Sequence, residues 1–344
     1  MPNALATVVG QPRATRLLTA SLAAPHHAYL FAGPPHVGKT TAAIAFAQAL
    51  NCPDHGCLDC LECRTIAHSN HPDVRVISLR DKRKADEEKA AAKPDGAKKK
   101  AERTVIGVDE VRAFLEEVGW KAFRARHKVY VLPYDEINLQ GANTLLKTLE
   151  EPNPGTVLVL TAPSVESVLP TVVSRCQLIP FNPVPPPAIE AWLVATQGIE
   201  PAKAKHLARV ADGRLGWAAE RVKEGELPEP TLLAADSYSS ALAEAEKLAG
   251  LDNETQQEAL EVLIAQARDI MIRRQTGRAD WLARPDLPEA PARRGLPLSY
   301  WLRVVTQLEG ARHQLRANGN KQLVWAVLAG AIQPTALERA RSAS

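Results

Sequence analysis

Residues 33–41 read Gly-Pro-Pro-His-Val-Gly-Lys-Thr-Thr. The first eight match G-x-x-x-x-G-K-[ST] without a gap. In such a loop, backbone N–H groups and the start of the following helix converge on an anion. Lys39 is placed to neutralise outer phosphates, and Thr40 to offer its hydroxyl to magnesium. Both flanks fit. HAYLFA (27–32) is a short apolar run rich in strand formers, and TAAIAFAQALN (41–51) is Ala-rich and helical. The predicted phosphate-binding residues are therefore Gly33, Gly38, Lys39, Thr40 and Thr41. Binding a nucleotide is not hydrolysing it, so catalysis needs separate residues.

Working outward, the strand–helix alternation continues. VRVISL (74–79), KVYVL (128–132), TVLVLTA (156–162) and CQLIPF (176–181) read as strands. VDEVRAFLEEV (108–118) and NTLLKTLEEP (143–152), closed by Pro152, read as helices. This predicts an α/β domain over 1–181, a parallel sheet covered by helices. NPVPPP (182–187) marks a linker. Beyond it no convincing strand is found. A small helical unit is expected over 182–226 and an all-helical domain over 227–344, with a Pro-rich loop at 281–297.

Composition agrees. The chain is 45% hydrophobic and 24% charged, ordinary for a soluble globular protein. Only 5% is aromatic, so the core must be largely Leu, Val, Ile and Ala, which leans towards helix packing. No run of eighteen apolar residues exists, so neither a membrane span nor a membrane partner is expected. The N-terminus lacks a basic region followed by an apolar stretch, so no secretory signal is expected and the location is read as cytoplasmic. The net charge of +3 is concentrated. Residues 80–103 hold ten basic and six acidic residues, and the rest of the chain is near neutral. That segment, without apolar periodicity and with Pro-Asp-Gly inside it, reads as a solvated, charged insertion.

Four of the five cysteines lie within twelve residues: Cys52, Cys57, Cys60 and Cys63. Two-residue spacings let thiolates converge on one tetrahedral ion, so a structural zinc is expected over 52–63. Four thiolates leave no open position, which argues against a catalytic metal. His55 is a possible substitute for Cys52 or Cys57.

Several stretches then combine. VVGQ (8–11), HAYLF (27–31), GVDEVR (107–112), NTLLKTLEEP (143–152) and LPTVVSRCQ (169–177) surround the phosphate loop in a fixed order. The cysteine cluster follows directly on the loop's helix. With these motifs the chain resembles the bacterial clamp-loader branch of the AAA+ ATPases, the delta-prime and gamma/tau subunits of the DNA polymerase III holoenzyme. The resemblance runs from about residue 5 to 181 and is weaker beyond, where ANGNKQLVWAVL (317–328) looks like the collar domain. It implies an AAA+ P-loop domain, a small helical lid domain and an all-α collar domain. It also implies ATP or ADP with magnesium, gamma/tau and delta subunits as partners in a hetero-pentamer, and a sliding clamp and primed DNA acted on through the assembly. Two departures stand out. The gap between the first and second cysteines is only four residues, and the insertion at 80–103 replaces a short connection. A DNA-contacting role for that insertion is one further reading.

The family's motor subunits run the strand beginning Lys-Val-Tyr into Asp-Glu, an acid pair that serves the metal and the attacking water. Counted from Lys128, those positions fall on Pro133 and Tyr134; counted back from NTLLKTLEEP, on Leu132 and Pro133. Asp135 and Glu136 come two places late, some 6–7 Å along an extended chain, unless a bulge brings Asp135 back. The family's lid arginine has Gly216 in its place. Ser174-Arg175-Cys176, however, matches the family motif whose arginine reaches a neighbour's ATP, where a guanidinium offsets charge on the transferred phosphoryl group. Arg175 is thus the expected catalytic contribution, made in trans. The chain is expected to bind nucleotide without hydrolysing it, on the stator-type, delta-prime side of the family. The alternative is a gamma/tau-like motor.

Overall fold

The computed structural model describes residues 3–77, 106, 108–119, 122–224, 230–278, 282, 293–317, 319–335 and 338. The charged insertion, the end of the predicted strand 74–79 and most of the Pro-rich loop lie outside the described residues. The chain divides into two compact units: Met1–Trp192 with Gly213–Gly216, and Leu193–Asp212 with Trp217–Ser344.

The first unit is built on five parallel strands: β1 (Ala28–Ala32), β2 (Val74–Val76), β3 (Lys128–Pro133), β4 (Thr156–Ala162) and β5 (Gln177–Pro180). Their spatial order is β2-β3-β4-β1-β5. The register is continuous, with Lys128 opposite Thr156 and Pro133 opposite Thr161. Successive residues of a strand face opposite sides, and the two cores divide accordingly. Tyr29, Phe31, Val129, Val131, Val157 and Val159 share one core with α1 (Pro12–Ser21) and α2 (Lys39–Asn51). Leu30, Tyr130, Leu132, Leu158 and Leu160 share the other with α4 (Val108–Gly119) and α5 (Leu139–Glu150). Between α2 and β2 lies the short α3 (Leu61–Ala67). A sheet covered on both faces explains why its strands are apolar runs rather than alternating ones. Leu145, fully buried on α5, marks the tightness of that packing; Leu145→Ala costs about 2–5 kcal/mol.

The structure moves one predicted helix. The segment read as 143–152 is α5 over Leu139–Glu150, because Asn138 caps it by accepting from the Gly141 N–H (2.7 Å). After β4 comes one helical turn, α6 (Pro170–Val173), which delivers the Ser174-Arg175-Cys176 stretch to β5. The unit closes with α7 (Pro186–Trp192).

The second unit is helical, and its described residues contain no strand. Its small helices are α8 (Pro201–Val210) and α9 (Leu215–Glu224), the latter starting in the first unit's Gly213–Gly216 segment. Its longer helices are α10 (Tyr238–Ala249), α11 (Asn253–Thr276), α12 (Leu298–Arg316) and α13 (Lys321–Ala331). Leu260, Leu263, Trp301, Leu308 and Trp325 form their common core. The Trp325 indole N–H donates to Gln256 Oε1 (2.8 Å), which satisfies that buried polar atom.

Candidate nucleotide and metal sites

The phosphate loop leaves the sheet where the strand order reverses. β1 lies between β4 and β5, and ligands of open α/β sheets bind at such a point, beyond the carboxyl ends of the strands. The Gly33 N–H donates to the Ala162 carbonyl (3.1 Å), and the Phe181 N–H donates to Ala32 (2.7 Å). A Cβ on Gly33 would fall 2.2 Å from the Phe181 carbonyl oxygen, so the close approach of β5 demands glycine there. Gly38 caps α2 at φ 98°, a left-handed conformation that glycine adopts without strain. Ala42 is the residue whose N–H reaches back to Gly38 (2.9 Å). The N–H groups of Lys39, Thr40 and Thr41 precede it, in the part of a helix where donors lack helical acceptors. These three, with Gly33 and Gly38, are the residues expected from sequence, and the structure brings them together.

Lys39 Nζ donates to the carbonyls of Gly33 (2.6 Å) and Pro34 (2.7 Å). Burial pushes its pKa down to about 8, against an opposing pull from the Asp135 carboxylate. Gln11 is a residue that sequence reasoning left without a role. It is almost fully buried, and its Nε2 donates to the carbonyls of Val37 (3.2 Å) and Asn182 (2.6 Å). Its Oε1 accepts from the Asn182 N–H (3.1 Å). A signal was present: Gln11 precedes Pro12 at the N-cap of α1, where Ser, Thr, Asp or Asn is preferred, and its side chain makes no cap hydrogen bond. Gly216 touches the same loop, its N–H donating to the His36 carbonyl (2.7 Å).

β3 does not run on as an extended chain. It ends at Pro133, and Tyr134–Glu136 form one 3-10 turn. Tyr134 is buried with the α4–α5 core, and its hydroxyl accepts from the Leu169 N–H (3.3 Å). Asp135 is exposed, and its charge is felt by Lys39. Asp135 thus lies on a turn rather than on an extended continuation of the strand, and its charge opposes the burial effect on Lys39.

Arg175 follows α6. Its Nη1 donates to the Thr171 carbonyl (2.8 Å) and to Ser174 Oγ (3.3 Å), and its Nη2 to Glu150 Oε1 (2.6 Å). The neighbouring Cys176 packs against the core. Burial pushes its thiol up to about 12, which leaves it unreactive.

The other cysteines form one cluster. The sulfur atoms of Cys52, Cys57, Cys60 and Cys63 all lie within 4.8 Å of one another, while His55 is exposed and outside the set. Backbone N–H groups point at the sulfurs: Cys57 to Cys52 (3.4 Å), Cys60 to Cys57 (3.3 Å) and Cys63 to Cys60 (3.4 Å). Burial raises the Cys52 thiol, but N–H groups of Cys57, Gly56 and Asp54 together outweigh it and hold the thiol down at about 7. Four convergent sulfurs with N–H donors at their backs fit a tetrahedral thiolate-bound ion. The cluster is tied to the fold on two sides. The Ala4 N–H donates to the Gly56 carbonyl (2.9 Å). Glu62 accepts from Arg124 (3.0 Å) and from His71 Nε2 (2.6 Å), whose Nδ1 takes the Asp73 N–H.

Five parallel strands in this order, with G-x-x-x-x-G-K-T leaving the inner strand β1, make this an AAA+ P-loop fold. Its family follows from the sequence that fills the fold. The profile described as "DNA polymerase III, delta subunit" matches residues 10–185, just over half of the chain, and the chain belongs to that family. It is 34% identical over 220 residues to DNA polymerase III subunit delta' of Bacillus subtilis, covering 62% of this chain and 58% of that protein. It is also 34% identical over 197 residues to subunit tau of Bacillus subtilis, covering 55% of this chain and 31% of that protein. The chain thus spans little more than half the length of the former and just under a third of the latter. Among solved structures, a gamma subunit-related DNA polymerase III protein of Thermotoga maritima aligns at 17% identity with a TM-score of 0.46, over 96% of this chain and 99% of that one. No helix among the described residues is long and apolar enough to cross a membrane.

Proposed function

We propose that this chain is a delta-prime-like clamp-loader subunit of DNA polymerase III that binds nucleotide, does not hydrolyse it, and lends Arg175 to a neighbouring subunit. The observation that carries this reading is the end of β3. Counted from Lys128, the two positions for the motor subunits' acid pair are Pro133 and Tyr134, and Tyr134 is turned into the core; counted back from the helix they are Leu132 and Pro133. None of these can ligate magnesium through a carboxylate or polarise a water. Gly216, with no side chain, lies against the phosphate loop where motor subunits carry a lid arginine. ATP or ADP with magnesium would be held by Gly33, Gly38, Lys39, Thr40 and Thr41. A structural zinc would be held by Cys52, Cys57, Cys60 and Cys63. The partners are gamma/tau and delta subunits in a cytoplasmic hetero-pentamer, which places a sliding clamp on primed DNA.

A gamma/tau-like motor is the second reading, favoured by one observation: Asp135 lies close enough to Lys39 for its charge to act there. Nucleotide binding and turnover by the isolated chain decide between them. Binding of ATP or ADP without turnover is expected. Robust magnesium-dependent turnover that disappears in Lys39→Ala would overturn the proposal.

A further inference from the structure

A guanidinium carries five N–H donors in a rigid plane. The structure engages three of those of Arg175, through Thr171, Ser174 and Glu150. Among the described residues the Nε–H and one Nη2 hydrogen have no acceptor, so two donors of the plane remain for a further acceptor. Thr171 and Ser174 belong to the arginine's own turn. Glu150 alone comes from another element, the last turn of α5. A carboxylate at a helix C-terminus faces the negative end of the helix dipole and is unfavourable there unless a cation compensates it. Arg175 supplies that cation at 2.6 Å, the short distance of a charge-assisted bond. The two side chains remain 35% and 53% exposed. An ion pair that open contributes little to stability, so its effect is on where the guanidinium points.

We infer that Glu150 is a positioning residue for Arg175: it fixes the guanidinium plane so that the two remaining N–H groups face a phosphoryl oxygen of the neighbour's nucleotide. This inference rests on the reading of Arg175 as a trans-acting residue. Without Glu150 the guanidinium is held only from its own turn and samples other rotamers. A misplacement of about 1 Å can cost up to roughly 100-fold in rate.

The test is nucleotide hydrolysis by the reconstituted assembly carrying Glu150→Ala, Glu150→Gln, Arg175→Ala or the double variant. Glu150→Ala is expected to lower kcat about tenfold with KM for ATP unchanged. Glu150→Gln, which keeps an acceptor oxygen, is expected to fall between Glu150→Ala and the unsubstituted protein. The double variant is expected to be no slower than Arg175→Ala, because Glu150 acts only through the arginine. The isolated Glu150→Ala chain is expected to melt at the unsubstituted temperature; if it does not, Glu150→Gln carries the test. An impaired Arg175→Ala beside a Glu150→Gln and Glu150→Ala of full rate would overturn this inference and leave the arginine's role standing. A double variant slower by the product of the two single effects would also overturn it. Full rate in Arg175→Ala would overturn the role of the arginine itself, and this inference with it.

Discussion

The side-chain amide of Gln11 donates to the main-chain carbonyl of Val37, 26 residues away, inside the phosphate loop. Val37 is buried, so no solvent replaces that donor. Gln11→Ala strands a buried acceptor, at a cost of about 1–3 kcal/mol. The expected outcome is a lower urea midpoint together with weaker ADP binding. An unchanged midpoint and affinity would show that the loop holds its shape without Gln11.

Lys39 gives a pH dependence with a defined sign. Its pKa in the folded chain is about 8, below the ordinary lysine value of 10.5. It is charged at pH 7 and largely neutral at pH 9, so the attraction for phosphate falls as pH rises through about 8. Affinity for ADP is expected to drop by up to about tenfold between pH 7 and 9. A bound phosphate favours the charged lysine, so binding near pH 8 takes up protons, measurable by calorimetry in buffers of different ionisation enthalpy. For folding the sign is the opposite: the cost of burying the charge is present at low pH and is relieved between about 8 and 10.5. Affinity that stays flat from pH 7 to 9 in the unsubstituted chain, as in a Lys39→Met control, would remove the lysine from phosphate binding.

The four-thiol cluster predicts one zinc ion per chain, released by a thiol-modifying reagent and counted with a metal indicator dye. Cys60→Ala is expected to lower the stoichiometry towards zero and to lower the melting temperature. Because Ala4 is bonded to Gly56 of the same cluster, loss of metal should also expose the N-terminal segment to protease. A chain with full metal content after Cys60→Ala would mean that the ion sits elsewhere.

Asp135→Asn separates the two functional readings. In a stator the acid contributes nothing to the neighbour's chemistry, and hydrolysis by the assembly is expected to change by less than about twofold. A loss of 100-fold or more, the scale of a removed general base, would favour the motor.

How much of this was legible in the letters varies by element, for physical reasons. The phosphate loop was legible because its chemistry is local: Gly33 and Gly38 are demanded by close approach and by φ, and strand and helix flank them in sequence. The apolar runs of β1, β3 and β4 were legible because a sheet covered on both faces leaves its strands no polar side. The turn at Tyr134–Glu136 was not. Nothing adjacent in sequence says that Tyr134 enters a core shared with Leu145 and Val168, and that burial is what ends the strand and swings Asp135 round. The start of α5 was missed because Leu139-Gln140-Gly141 looks like loop until Asn138 is seen accepting from the Gly141 N–H. The Glu150–Arg175 pair spans 25 residues and exists only once β4 has been laid into the sheet between them.

α5 begins three residues after Glu136 and ends at the carboxylate that grips Arg175. Its twelve residues make a rod of about 18 Å with no glycine or proline beyond its first turn to absorb a bend. One end therefore follows the turn that carries Asp135, and the other holds the carboxylate that accepts from Arg175. A rod without a hinge moves as one piece, so a displacement at the turn carrying Asp135 would be passed to the Glu150–Arg175 pair without unwinding the helix.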